Sequence, residues 1–62
     1  MTRDEMFVDE SGKHEARIVS WNNEWVYLER REIGSTRMVR FRLSRRFWES
    51  SSNGWRKRDA AT

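Results

Sequence analysis

Cysteine and proline are absent from this 62-residue chain, and histidine occurs only once. Without cysteine there is no disulfide or thiolate–metal framework, so a chain this short depends on side-chain packing or on a partner subunit for stability. His14 has no second histidine or cysteine with which to bind a metal ion. No base is placed by the sequence to activate the serines at 50–52 as nucleophiles. We therefore expect no cofactor, no metal site and no enzymatic activity.

Long apolar segments are also missing. No run approaches the roughly 20 apolar residues that a membrane-spanning helix needs. The first residues, Met1–Glu5, lack the apolar stretch of a signal peptide. The sequence thus predicts a soluble protein that makes no use of a membrane, with the cytoplasm as its expected location.

Aromatic and charged residues dominate what is present. Charged residues make up 37% of the chain and hydrophobic residues 35%, a balance typical of disordered proteins. Four tryptophans, three phenylalanines and one tyrosine argue against disorder, because each ring can bury about 150–250 Å². We expect one small folded domain over residues 1–58, followed by a disordered tail over residues 59–62.

Turn signals divide the chain at short intervals. They are Ser11-Gly12, Asn22-Asn23, Gly34-Ser35 and Asn53-Gly54. Between them apolar residues recur mostly at every second position, which is the pattern of β-strands. The clearest strand contains Val39, Phe41 and Leu43, which alternate with Arg40 and Arg42.

These signals predict a mostly β fold of five short strands and one helical turn. The strands cover Glu5–Asp9, His14–Trp21, Glu24–Glu32, a stretch around Val39–Leu43, and Gly54–Arg58. Ser44 is placed to cap a helical turn through Arg45–Trp48. A five-stranded antiparallel meander that closes on itself with such a turn resembles an SH3-like small barrel, a likeness of layout without a shared motif.

The predicted core follows from the apolar faces of these strands. It consists of Ile18, Val26, Leu28, Val39, Phe41, Leu43 and Phe47. An α+β arrangement, in which Asn23 caps a helix over residues 23–33, is the alternative.

Charge is distributed unevenly along the chain. Residues 1–15 hold two basic and five acidic residues, whereas residues 37–58 hold eight basic residues and one acidic residue. Arginine supplies most of the positive charge, and its planar guanidinium suits phosphate groups. The basic C-terminal half indicates an anionic partner.

Two groups of residues are the candidate binding residues. The first is a sheet face on which aromatic rings alternate with arginines: Arg17, Trp21, Trp25, Tyr27, Arg40 and Arg42. Bases can stack on such rings while guanidinium groups hold phosphates. The alternative is that the rings form a second small core with the arginines lying over them. The second group is basic and is expected to converge near the last strand: Arg45, Arg46, Arg56, Lys57 and Arg58.

We therefore expect a nucleic-acid-binding module that uses stacking and backbone contacts with DNA or RNA and reads no specific sequence. The alternative is a small regulatory or inhibitory protein, of the type that phages and mobile elements encode, which binds the surface of a host protein. The same aromatic rings would also suit the interface of a homodimer.

Overall fold

The computed structural model describes residues 5–50 and 52–58. It confirms a mostly β fold with one short helix. The elements are β1 (Met6–Asp9), β2 (His14–Trp21), β3 (Trp25–Glu32), β4 (Val39–Ser44), α1 (Arg45–Trp48) and β5 (Trp55–Lys57). The tail predicted over residues 59–62 lies outside the described residues.

The five strands form one antiparallel sheet in the order β4-β3-β2-β1-β5. The first four strands are a meander, but β5 crosses to pair with β1 instead of β4. The sheet is open, with β4 and β5 at its two edges, so the predicted closure into a barrel is not observed. It nevertheless curves enough for Phe41 of β4 and Trp55 of β5 to stack with their ring centroids 6.0 Å apart.

The alternative helix over residues 23–33 is wrong, because β3 occupies most of that range. Its alternate residues Val26 and Leu28 are both buried. Each has a neighbour from both flanking strands: Leu28 lies between Ile18 of β2 and Phe41 of β4. A central strand packs against a neighbour on each side, which favours an extended backbone. The apolar residues at every second position had indicated the same conformation.

The core lies on one face of the sheet, here called the inner face. Its buried residues are Ala16, Ile18, Val26, Leu28 and Trp48, with Phe7, Trp21, Phe41, Leu43 and Trp55 packed against them. Trp48 reaches it from α1 and meets the ring of Phe7 edge-on at 4.8 Å. Two residues of the predicted core are instead exposed, since Val39 and Phe47 each retain 44% of their accessible surface.

The helical turn explains why Phe47 and Trp48 exchange their expected places. Ser44 caps α1, its hydroxyl accepting a hydrogen bond from the backbone N–H of Phe47 at 3.2 Å. Successive residues of a helix point about 100° apart, so only one of the two rings can face the sheet. The cap orients the turn so that Trp48 is the buried ring.

A β-bulge interrupts the pairing of β2 with β3. Ile18 lies opposite Leu28, but the next pair is Ser20 with Tyr27, so Val19 is an extra residue. An extra residue moves every later side chain to the other face of the strand. Trp21 is therefore opposite Val26 and packs against the core, whereas a regular strand would have carried it to the opposite face.

Candidate nucleic-acid interface

The second face of the sheet, here called the outer face, carries most of the charge. Its side chains follow from the strand register, in which directly opposed residues share a face. They include Val8, Glu15, Arg17, Trp25, Tyr27, Glu29, Arg31, Arg40, Arg42 and Arg56. Arg58 reaches the same face from the end of β5 through Glu15. Six of the described arginines therefore accompany two glutamates there.

Glu29 is held between two arginines from the neighbouring strands. Its Oε2 accepts a hydrogen bond from Arg17 Nη2 at 3.1 Å, and its Oε1 accepts one from Arg40 Nε at 3.0 Å. The side chains of Arg17 and Arg40 remain 52% and 79% exposed, while Glu29 is buried. The hydrogen bonds from Arg17 and Arg40 hold the pKa of Glu29 below its usual range.

Glu15, on the neighbouring strand β2, forms a second cluster of the same kind on the same face. Its two carboxylate oxygens accept hydrogen bonds from Arg31 and from Arg58, the latter at 3.2 Å. Glu15 is 4% exposed, whereas both arginines keep part of their surface in solvent. Each cluster joins two cations to one carboxylate, so each carries a net positive charge on its solvent side.

The aromatic end of the outer face lies beyond the Glu29 cluster. The guanidinium of Arg42 stacks over the ring of Trp25, 4.1 Å from its centroid, a cation–π contact. Tyr27 lies directly opposite Arg42 on the neighbouring strand. Within residues 5–50 and 52–58 no carboxylate pairs with Arg42, so its charge is available to a ligand.

A shallow depression of about 350 Å³ adjoins this aromatic end. Its lining includes Ser20, Tyr27, Arg40 and Arg42, together with Val19 of the bulge. The bulge therefore shapes the rim of the depression as well as the inner face. The phenol ring of Tyr27 and two guanidinium groups line this space together with the apolar residues Leu28 and Phe41.

The structure brings together most of the first predicted group. Trp25, Tyr27, Arg40 and Arg42 share the outer face, and Arg17 is joined to it through Glu29. Trp21 does not belong there. Its predicted position on the arginine-bearing face is wrong because the bulge at Val19 reverses the alternation.

The structure does not bring the second predicted group together, because its residues lie on different parts of the molecule. On α1, Arg45 pairs with Glu49 at 3.3 Å and donates to the backbone carbonyl of Asn22, and Arg46 is exposed. On the last strand, Lys57 lies 3.9 Å from Glu5 on the inner side of the sheet. Only Arg56 and Arg58 of this group contribute to the outer face.

Trp48 and Trp55, which adjoin these basic residues along the chain, pack into the core instead of joining a binding surface.

Sequence reasoning missed the two glutamates that organise the outer face, and it missed Arg31. A signal for them was present: Glu15 and Glu29 occupy the same strand phase as Arg17 and Arg31. A carboxylate within a strand that has an arginine two residues further along the chain predicts a cross-strand ion pair. The pairing register was needed to show which arginines each glutamate binds.

His14 has a structural contact in the β1–β2 turn. Its Nδ1 lies 2.9 Å from Asp9 Oδ2, and its backbone N–H donates to Asp9 Oδ1. Partial desolvation raises the pKa of Asp9, but hydrogen bonds from Ser11 and His14 outweigh it and leave that pKa below its usual range.

Among the residues that the structure describes, no helix is long and apolar enough to span a bilayer. Comparison of the chain with protein-family models, with curated proteins and with solved structures found no match.

Proposed function

We propose that this protein binds single-stranded nucleic acid with the outer face of its sheet, as a non-enzymatic module. The observation that carries the proposal is the contact between Arg42 and Trp25, with Tyr27 directly opposite Arg42. On a face rich in arginine, a tryptophan ring carries a stacked guanidinium group that has no carboxylate partner among the described residues. Bases stack on such rings whatever their sequence, and guanidinium groups bind the phosphates between them.

The arrangement assigns a role to each part of the face. Trp25 and Tyr27 are the stacking surfaces, and the adjoining depression receives an unstacked base. Arg42 and the exposed guanidinium of Arg40 bind the backbone near these rings. The Glu29 and Glu15 clusters hold their arginines in place and keep a net positive charge, so the backbone can continue across them towards Arg56 and Arg58.

Single strands suit this face better than duplexes, because the bases must be free to stack. Contacts to rings and phosphates distinguish neither the four bases nor DNA from RNA. The proposed binding residues are Arg17, Trp25, Tyr27, Arg40, Arg42, Arg56 and Arg58; Trp21, Arg45, Arg46 and Lys57 of the sequence prediction are left out.

We further propose that the fold belongs with the SH3-like small barrels. Two features support this. The last strand lies beside the first after a helical turn, and the rings of Phe41 and Trp55 meet across the opening between the two edge strands.

The test is a titration of a fluorescein-labelled oligothymidylate with the protein at low and at moderate salt. We expect affinity to fall steeply with salt, by a logarithmic slope of about 0.7 for each phosphate contact. Arg42→Ala should weaken binding about tenfold, since it removes a guanidinium group that binds phosphate beside the ring of Trp25. Lys13→Ala removes the same charge from the exposed β1–β2 turn and is the matched control.

Either of two results would contradict the proposal. One is the absence of oligonucleotide binding by the folded wild-type protein at low salt. The other is an equal loss of affinity in Arg42→Ala and Lys13→Ala, which would mean that only the overall charge attracts the strand and that no site exists at Arg42.

A protein-binding regulator is the second candidate, and one observation favours it. Within residues 5–50 and 52–58, four large apolar side chains are between 44% and 53% exposed: Ile33, Met38, Val39 and Phe47. The first three lie along the connection from β3 into β4. Exposed apolar residues beside arginines are typical of the centre of protein interfaces.

A further inference from the structure

We propose that the free edge of β4 binds an extended acidic segment of a partner protein, which adds to the sheet as a sixth strand. This goes beyond nucleic-acid binding and does not depend on it. Three features of the molecule support it: the edge position of β4, the alternation of its side chains, and the composition of β3, which already pairs with it.

β4 is the longer of the two edge strands. It has six residues, against three in β5, and β3 is the only described strand with which it pairs. Four of its residues are exposed and the other two, Phe41 and Leu43, are half-buried. An edge strand of this kind presents a row of backbone donors and acceptors, which is the template for strand addition.

The side chains of β4 specify what a sixth strand must carry. Arg40 and Arg42 lie on the outer face, while Phe41 and Leu43 turn towards the core, where the ring of Phe41 already stacks on Trp55. A partner strand must therefore present acidic residues at every second position and apolar residues between them. β3 already shows this chemistry on the other side, where Glu29 lies opposite Arg40 and Leu28 lies opposite Phe41.

Glu29 leaves room for such a partner. It satisfies one nitrogen of Arg40, yet the Arg40 side chain is still 79% exposed. Arg42 contacts only the ring of Trp25 among the described side-chain interactions. Carboxylates on a sixth strand would lie beside both arginines, where opposite charges on neighbouring strands stabilise pairing.

A second copy of this chain fits the edge poorly. An antiparallel pair of β4 strands centred on Phe41 would set Arg40 of each copy against Arg42 of the other. Like charges directly opposite each other destabilise a sheet, and arginines on an edge strand are a common protection against self-association. The same two arginines that oppose a second copy attract an acidic strand.

The experiment uses the intact protein and a fluorescein-labelled peptide of about eight residues, within the usual length of a strand, in which glutamate alternates with valine. No nucleic acid is present, so the result is independent of the proposed function. We expect saturable binding, with the largest NMR amide shifts in β4. A peptide with lysine in place of glutamate should bind at least tenfold more weakly.

Two variants of the protein separate the β4 edge from general electrostatic attraction. Arg42→Glu should weaken binding of the glutamate peptide at least tenfold and strengthen binding of the lysine peptide. Arg56→Glu makes the same charge change on the same face but at the other edge strand, and it should alter binding less than twofold. Circular dichroism and thermal unfolding establish that both variants are folded.

A third control uses wild-type protein alone, so it stands even if a variant fails to fold. The glutamate peptide methylated at alternate backbone nitrogens keeps its charge but loses donors needed for strand pairing, and it should bind at least tenfold more weakly. Equal binding of the methylated peptide, or equal effects of Arg42→Glu and Arg56→Glu, would overturn the proposal. So would sedimentation of the protein alone as a dimer, if the amide signals that shift on dilution are those of β4.

Discussion

The two faces of the sheet are built from the same strands and are held together in opposite ways. On the inner face Val26, Leu28 and Ile18 lose almost all contact with water, and burial of apolar surface stabilises the fold. On the outer face the buried groups are the carboxylates of Glu15 and Glu29, each satisfied by two arginines.

The difference shows how a short chain covers both sides of one sheet. The inner cluster of buried apolar residues is small, because α1, the one helix in the described part of the chain, has four residues. The outer face has no described helix or strand above it, and partly exposed arginine side chains pair with its two buried glutamates instead. Stability should therefore depend chiefly on the inner face, and ligand binding on the outer face.

The largest effect is expected at the centre of the inner face. Leu28→Ala removes a side chain that is 1% exposed and should lower the free energy of unfolding by about 2–5 kcal/mol, as other buried leucines do. Urea unfolding followed by tryptophan fluorescence measures this. Met38→Ala, at a residue that is 44% exposed, is the control and should stay within about 0.5 kcal/mol of wild type.

A smaller loss from Leu28→Ala than from Met38→Ala would reverse the assignment of the faces. Because the core is small, the leucine variant is also expected to unfold at a lower temperature than any single outer-face variant.

Two tryptophans four residues apart give a more direct comparison. Trp21→Ala should cost about 2 kcal/mol of stability, below the roughly 3–5 kcal/mol of a fully buried ring, and should leave oligonucleotide binding unchanged. Trp25→Ala should lower the free energy of unfolding by about 1 kcal/mol or less, the usual size of an exposed cation–π contact. It should weaken oligonucleotide binding about tenfold. Urea unfolding and oligonucleotide titration of both variants test this.

The comparison fails if Trp21→Ala weakens oligonucleotide binding more than Trp25→Ala does. That result would place the stacking surface on the inner side of the bulge.

The smallest effect concerns acid stability. Hydrogen bonds from Arg17 and Arg40 hold the pKa of Glu29 below its ordinary value of 4.5, so the unfolded chain binds more protons than the folded chain in this range. The stability that Glu29 contributes is therefore complete above that ordinary value and is lost as pH falls through the lowered folded-state pKa. Glu29→Gln should make the loss of stability in acid shallower.

Urea midpoints measured from neutral pH down to about 2, across the range in which carboxylates titrate, test this expectation. Glu24→Gln is the matched control, because Glu24 is exposed and forms no ion pair among the described residues. Identical acid profiles for the two variants would show that the arginine contacts of Glu29 are not kept in solution.

Much of the fold was predictable from local patterns. Turn residues at positions 11–12, 22–23 and 53–54 separate the observed strands, and alternation in Val39–Leu43 correctly predicted which side chains of β4 share a face. Ser44 was correctly predicted as the cap of a helical turn. These features depend on neighbouring residues, and so the sequence contains them directly.

The candidate site was less predictable. The alternation of Trp25 and Tyr27 with Glu29 was readable, as was that of Arg40 with Arg42. The ion pairs were not, because Glu29 meets partners 12 and 11 residues away along the chain. Their identity depends on the register between strands.

The sequence by itself determined the strands, the turns and the alternation of arginine with aromatic and apolar residues, because each depends on backbone preferences over a few positions. The tertiary structure alone decided the rest. One extra residue at Val19 moved Trp21 to the inner face, the orientation of α1 selected Trp48 over Phe47, and β5 paired with β1 instead of β4. These outcomes require distant segments to be packed together, and local sequence preferences carry no information about that packing.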